Sequence, residues 1–344
     1  MTVVDASPVD GREADELPAD TPSTTGTSPG ESPAAGDAGP PPLAGRRRWR
    51  RADGEPGASI PPLSPRLRLT RAALVLLAIV AGSLVVQLVV VSGVQHRAAQ
   101  QQLFDRFRLE LAEGTAPVGP VDTEGRVIAP GSPVALLEIP RLGIREVVVS
   151  GSSSGSTFDG PGHRRDTPLP GVAGTSVVLG RGSAYGGPFG RLNQLESGDL
   201  IEVTTGQGVF EFEVLGVRRE GDPVPPLPEA EDARLLLMTT DGGSFLPSGV
   251  LRVDAEAMTP AVGGSAPLFT SATLPSAEQP MAADTSTLWA LVLWLEALIV
   301  VVLGFVWAWF RWSRPKAWVV FLPLIIVVGL ATSQQAARLL PNML

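Results

Sequence analysis

Hydrophobic positions follow two different patterns along this chain. Three stretches are almost continuously apolar: Ala72–Val94, broken only by Ser83, Gln87 and Ser92, then Leu288–Phe310, and finally Ala317–Ala331 or slightly beyond. At about 1.5 Å rise per residue, a helix over the first is long enough to cross a hydrocarbon layer of about 30 Å. Between the first and second stretches the apolar residues come instead in short runs: Val134–Ile139, Glu146–Ser150, Thr175–Gly180, Leu200–Thr204, Val209–Val217, Arg234–Thr239 and Val250–Ala255. Val209-Phe210-Glu211-Phe212-Glu213-Val214 alternates apolar and polar, the mark of a half-buried strand. Turn signals separate the runs, among them Pro140, Gly160-Pro161-Gly162, Gly186-Gly187-Pro188 and Asp241-Gly242-Gly243. Many short strands within roughly 125 residues, with no long amphipathic helix between them, predict a closed or nearly closed β-barrel or a sandwich.

The expected organisation follows from these runs. Residues 1–71 form a disordered tail ending in a basic juxtamembrane segment, and 72–94 the first span. Residues 95–133 hold a juxtamembrane helix and a Gly/Pro-rich linker; Leu103, Phe107 and Leu111 sit at helical spacing there, which predicts an amphipathic stalk. The barrel occupies 134–258 and a second linker 259–287. Residues 288–310 form the second span, 311–316 a basic loop, 317–335 the third span, and 336–344 a short tail. The fold class is mainly β, a barrel ectodomain plus three transmembrane α-helices.

Charge orients this arrangement. Residues 1–45 carry eight acids (Asp5, Asp10, Glu13, Asp15, Glu16, Asp20, Glu31 and Asp37) against Arg12 alone, with 8 Pro and 6 Gly. Such a segment buries too little apolar surface to offset its chain entropy. The sign then flips at Arg46, Arg47, Arg48, Arg50, Arg51, Arg66, Arg68 and Arg71, just before the first span, and Arg311, Arg314 and Lys316 lie between the second and third. By the positive-inside rule these flanks are cytoplasmic, so the barrel is extracellular and the protein a multi-pass plasma-membrane protein with an uncleaved signal anchor. Six of the seven tryptophans fall between Trp289 and Trp318, consistent with an interfacial belt. A net charge of −8 argues against nucleic acid as the partner. The chain has no cysteine and two histidines, His96 and His163, which excludes disulfides, thiol nucleophiles, Cys-ligated metals and a multi-His metal site. No cofactor is expected.

Five motifs in the barrel block resemble those of bacterial sortases. Leu137-Glu138-Ile139-Pro140-Arg141-Leu142-Gly143-Ile144 resembles the family's first-strand motif, and Gly160-Pro161-Gly162-His163, continuing through Thr167-Pro168-Leu169-Pro170-Gly171 to Gly174, a second. Pro188-Phe189 with Leu192, then Gly198-Asp199-Leu200-Ile201, is similar to the segment after the family's catalytic histidine. Arg234-Leu235-Leu236-Leu237-Met238-Thr239-Thr240 resembles the strand that delivers its cysteine. The likeness is to the actinobacterial class E type, from which the two C-terminal spans depart. It implies a barrel of the sortase type and cysteine transpeptidation, in which a thiolate forms an acyl-enzyme, a histidine releases the amine and an arginine stabilises the oxyanion.

The parts that would do this chemistry are replaced. On the resemblance, the cysteine position falls at Asp241, the histidine position at Arg181, and the arginine position at or near Val250, with Arg252 two residues on. Asp241 attacking as a carboxylate would give a reactive anhydride and still need a proton for the leaving amine, which Arg181 cannot supply. Ser244 lacks a histidine as base, and His163 belongs to a different motif. Arg181 and Asp241 carry opposite charge and are expected to pair within about 4 Å across the site. His163, Tyr185 and Thr240 are candidate ligand contacts. Glu296 lies mid-span, where facing lipid would cost at least about 2.5 kcal/mol, so it is expected to face another helix of this chain or a partner. The resulting expectation is a non-catalytic sortase-like protein, anchored in the bilayer, that binds a surface protein, a sorting-signal peptide or an active sortase. The alternatives are a peptidase using Asp241, and a membrane-complex subunit working through its helices.

Overall fold

The computed structural model describes residues 64–243, 246–312 and 314–344. The acidic tail, the arginines at 46–51 and Ser244 lie outside the described residues. The first apolar run and the stalk form one rod. Ser64 caps helix α1 (Pro65–Val86) by accepting from the Leu67 amide at 3.4 Å. A single widened π turn at Gln87–Val91 leads into α2 (Ser92–Glu113), which ends where Gly114 takes φ 68°, a conformation that favours glycine. The apolar face of α2 does not stand free as a stalk. Leu103, Phe104, Phe107 and Leu111 pack on Leu136 and Val147 of the barrel. Gln100 receives the Val147 amide at 2.7 Å and donates to the Asp159 carbonyl at 2.7 Å. His96 completes the joint, with Nδ1 3.1 Å from the Phe158 carbonyl and Nε2 3.1 Å from Glu146 Oε2. Both partners are acceptors, so the imidazolium form satisfies both nitrogens.

Eight strands close the barrel: β1 (Pro133–Ile139), β2 (Ile144–Ser150), β3 (Gly162–His163), β4 (Gly174–Leu179), β5 (Leu200–Thr205), β6 (Gly208–Arg218), β7 (Ala233–Gly243) and β8 (Leu246–Ala257). Their order around the barrel is β1-β2-β3-β4-β7-β8-β6-β5, with β5 returning to β1. β2–β3 and β4–β7 are parallel pairs and the rest antiparallel. The alternation read in β6 is realised, with Phe210, Phe212 and Val214 inside and Val209, Glu211, Glu213 and Leu215 outside. They join Leu137, Ile139, Val178, Leu235, Leu237 and Val253 in one core, each such side chain contributing about 1.5–3 kcal/mol by leaving water.

Two further helices, α3 (Leu288–Arg311) and α4 (Arg314–Ala337), form an antiparallel hairpin that packs beside α1. Phe321 lies against Gly304, Gly329 approaches Ser83, and the Thr332 hydroxyl donates to the Trp294 carbonyl at 3.2 Å. Among the described residues three helices, counting the α1–α2 rod as one, are long and apolar enough to cross a membrane. The segment between β8 and α3 packs on the barrel: Leu274 and Glu278 are buried, Glu278 pairs with Arg165, and the Glu278 carbonyl accepts from Ser152 Oγ at 2.8 Å.

Candidate functional site

Strand register decides which side chains share a face at the carboxyl ends of β4 and β7. Val178 lies beside Leu237 and Leu179 beside Met238. Val178 and Leu237 point into the core, whereas Val177, Leu179, Met238 and the partly buried Val250 form a cluster on the outer face. Side chains alternate along a strand, so Thr240 follows Met238 onto the outer face, where it pairs across with Val250. Arg181 lies two residues past Leu179. Three positions therefore gather on this face: Arg181, Thr240 and Val250. Arg252 shares it, opposite Met238, with the Val250 carbonyl at 3.5 Å from Nη1.

Asp241 belongs to the other face, opposite Gly249. Its carboxylate takes a hydrogen bond from Arg219 Nε at 3.0 Å. The expected Arg181–Asp241 pair does not form. The reason is a one-residue displacement, which in a strand turns a side chain to the opposite face. The residue facing the Arg181 position is Thr240, not Asp241.

Arg181 is fully buried. Its Nε donates to the Thr157 carbonyl at 3.2 Å, and Nη2 donates to the Ser154 carbonyl at 3.0 Å and to Ser154 Oγ at 2.9 Å. Its guanidinium carbon lies 4.7 Å from the Phe158 ring centroid and 5.1 Å from that of Tyr185. Those rings stack on each other at 4.0 Å. Carbonyls, a hydroxyl and π faces replace the carboxylate counter-ion. Burial lowers the Arg181 pKa to about 10, opposed by the electrostatic influence of Tyr185. The group stays protonated at neutral pH and cannot exchange a proton there. Tyr185, a candidate ligand contact in the sequence, is 1% exposed, with φ 53° and its amide donating to Ser92 Oγ at 3.3 Å. It is a packing partner of Arg181 rather than a free contact.

The outer face is filled by the segment after α4. The Gly182 amide donates to the Met343 carbonyl at 2.9 Å, and the Ala184 amide to Leu344 O at 3.1 Å. Thr240 Oγ1 donates to the same Met343 carbonyl at 3.4 Å. The Asn342 carbonyl accepts from Thr157 Oγ1 at 2.8 Å and the Leu340 carbonyl from Ser154 Oγ at 3.1 Å. Asn342 Nδ2 donates to the carbonyls of Ser152 at 2.6 Å and Gln279 at 2.9 Å. Met343 is wholly buried against Val177, Leu179 and Met238. A side chain at Gly182 would collide with the Thr240 hydroxyl, so glycine is what lets β4 and β7 meet here.

Neither histidine reaches this face. His163 is buried on β3, and its Nε2 meets the Pro168 carbonyl at 2.9 Å. Burial lowers its pKa to about 4, opposed by that hydrogen bond and by Asp166, so it is neutral at pH 7. His96 is engaged by Glu146 and Phe158 at the α2 joint. Among the described residues no three metal-ligating side chains come together. Glu296 is exposed on α3, on the side away from α4, and faces no other helix among the described residues.

Sequence reasoning missed Ser152, Ser154, Thr157 and Asn342, the polar frame around the Arg181 side chain and the inserted segment. The signals were present. Gly151–Thr157 is a run of glycines and small hydroxyl residues, and Leu339, Leu340, Met343 and Leu344 make residues 339–344 too apolar for a solvated tail.

Residues 137–243 match the model of the sortase domain. No curated protein matches the chain. Among solved structures it is similar to a sortase D5 transpeptidase of Clostridium perfringens, at 20% identity over 48% of this chain and 99% of that one, with TM-score 0.38. It is similar to sortase E1 of Streptomyces coelicolor, solved with a tripeptide in the active site, at 24% identity over 39% of this chain and 93% of that one, with TM-score 0.34. A single-substitution variant of sortase E from Streptomyces avermitilis shares 28% identity over 44% of this chain and 99% of that one, with TM-score 0.33.

Proposed function

With a sortase-like domain as the premise, we propose that this protein is a non-catalytic relative of the sortases, held at the outer face of the plasma membrane as a binding or scaffolding module. The observation that carries this reading is the composition of the outer face of β4, β7 and β8. Transpeptidation needs a nucleophile, a proton donor for the leaving amine, and a cation at the oxyanion. Thr240 offers a hydroxyl with no base beside it among the described residues, Arg181 keeps its proton, and Val250 carries no charge. Arg252 stands on the same face but about 7 Å along the strand. The segment Leu340–Leu344 covers the outer face beside Arg181 and Thr240, which leaves that face closed to a sorting-signal peptide. Partners such as a surface protein or an active sortase are then met by other surfaces. The basic flanks support an outward-facing barrel. So does the helix connectivity, because α2 leads into the barrel, α3 leaves it, and α4 returns the chain to it.

Purified full-length protein incubated with fluorescent sorting-signal peptides and an amine acceptor tests this reading. Neither cleavage nor transfer is expected. Turnover that disappears in Thr240→Ala and survives in Leu227→Ala, a change at an exposed loop position, would overturn it.

A further inference from the structure

We infer that the outward face of α3 is a docking surface for a membrane-spanning helix of another protein, one carrying a lysine or arginine at the depth of Glu296. This rests on α3 crossing a bilayer and is independent of whether the barrel is catalytic. Two sides of α3 differ sharply. Leu298 and Ala308 are wholly buried, Gly304 meets Phe321, and the Trp294 carbonyl accepts from Thr332, so this side belongs to α4. Trp289, Leu293, Glu296, Val300, Leu303, Trp307 and Phe310 are all exposed on the opposite side. Their spacing alternates between four and three residues, the seam spacing of packed helices. At about 1.5 Å per residue, Glu296 lies roughly 12 Å along the helix from Leu288, below the depth at which a short side chain reaches the surface unaided.

The carboxylate sets the chemistry of the occupant. Acyl chains cannot hydrogen-bond or neutralise it. A second copy of this chain would bring no cation, because the runs 72–94, 288–310 and 317–335 contain no lysine or arginine. Like charges at one depth disfavour that pairing. A cation on a foreign helix satisfies the group directly, while the large apolar residues above and below supply packing surface.

The test uses full-length protein in phosphatidylcholine/phosphatidylglycerol vesicles, labelled with a donor dye through Ala283→Cys. The probe is a leucine–alanine transmembrane peptide with one lysine at the matching depth and an acceptor dye. Energy transfer should report association at least tenfold tighter for Glu296 than for Glu296→Leu or Glu296→Gln. A guest with leucine in place of the lysine should show no such preference. Equal association of both guests, or self-association of the protein that depends on Glu296, would overturn the proposal. Quenching of tryptophan fluorescence by brominated lipid reports whether α3 is in the bilayer. Absence of quenching would remove the membrane reading and the docking with it; quenching without lysine preference would remove the docking alone.

Discussion

Replacing Met343 with alanine should release the segment that fills the outer face of the barrel. The Met343 side chain is wholly buried among Val177, Leu179 and Met238, and its carbonyl accepts from Gly182 and Thr240. Removing a buried methionine side chain costs about 2–5 kcal/mol. Little of this cost falls on the barrel interior, because the cluster is on the outer face. Most of it appears as easier local opening of residues 339–344. At the lower figure the opening equilibrium rises about 30-fold. Amide hydrogen exchange reads this directly, since the Gly182 and Ala184 amides are protected by Met343 and Leu344. Both should exchange at least about 30-fold faster in Met343→Ala. Gly180, whose amide donates to the Met238 carbonyl at 2.9 Å within the barrel, should be unchanged. Equal rates at 182 and 184 in both proteins, or acceleration at Gly180 as large as theirs, would refute the reasoning.

Arg181→Met would leave the buried Thr157 carbonyl without its donor, at about 1–3 kcal/mol, and the Ser154 carbonyl with only the Thr157 hydroxyl at 3.3 Å. Relief of a desolvated cation offsets part of this, so a net loss of about 2 kcal/mol is expected by thermal or denaturant unfolding, and a variant as stable as the parent would contradict it. His163 supplies a pH dependence. Its folded pKa, about 4, lies below the ordinary imidazole value of 6.5, so its contribution is complete above pH 6.5 and is lost as pH falls toward 4. That difference corresponds to about 3 kcal/mol. His163→Gln should flatten the fall in stability across this window, and an identical pH profile would count against the assignment.

How much was legible in the sequence depended on how strongly each residue's neighbours constrained it. Phe210, Phe212 and Val214 alternate with acids and an exposed leucine, so β6 could be read with its faces correct. The long apolar helices were equally plain. β3 escaped notice because two residues, Gly162 and His163, carry no periodicity. The site failed by one residue. Thr239 and Thr240 are both polar, so nothing in Met238-Thr239-Thr240-Asp241 says which one faces Arg181; pairing with β4 and β8 decides it. The ion pair expected between Arg181 and Asp241 fell with that register. Arg181 found its partners in Ser154 and Thr157, more than twenty residues earlier, a contact no local pattern reveals. For the same reason residues 336–344 read as a tail although Asn342, Met343 and Leu344 are buried.

The central claim is that the face opposite Arg181 is occupied by residues 340–344 of the same chain. Because the natural chain contains no cysteine, the pair Thr240→Cys and Met343→Cys introduces the only two thiols. Thr240 Oγ1 lies 3.4 Å from the Met343 carbonyl, so a small shift of the segment brings the two Cα atoms within the about 7 Å that a disulfide spans. Mild oxidation of the full-length protein in detergent, followed by intact mass measurement after alkylation, reads the outcome. The account predicts nearly complete intramolecular disulfide and no alkylated thiol. Two alkylated thiols in most molecules would contradict it.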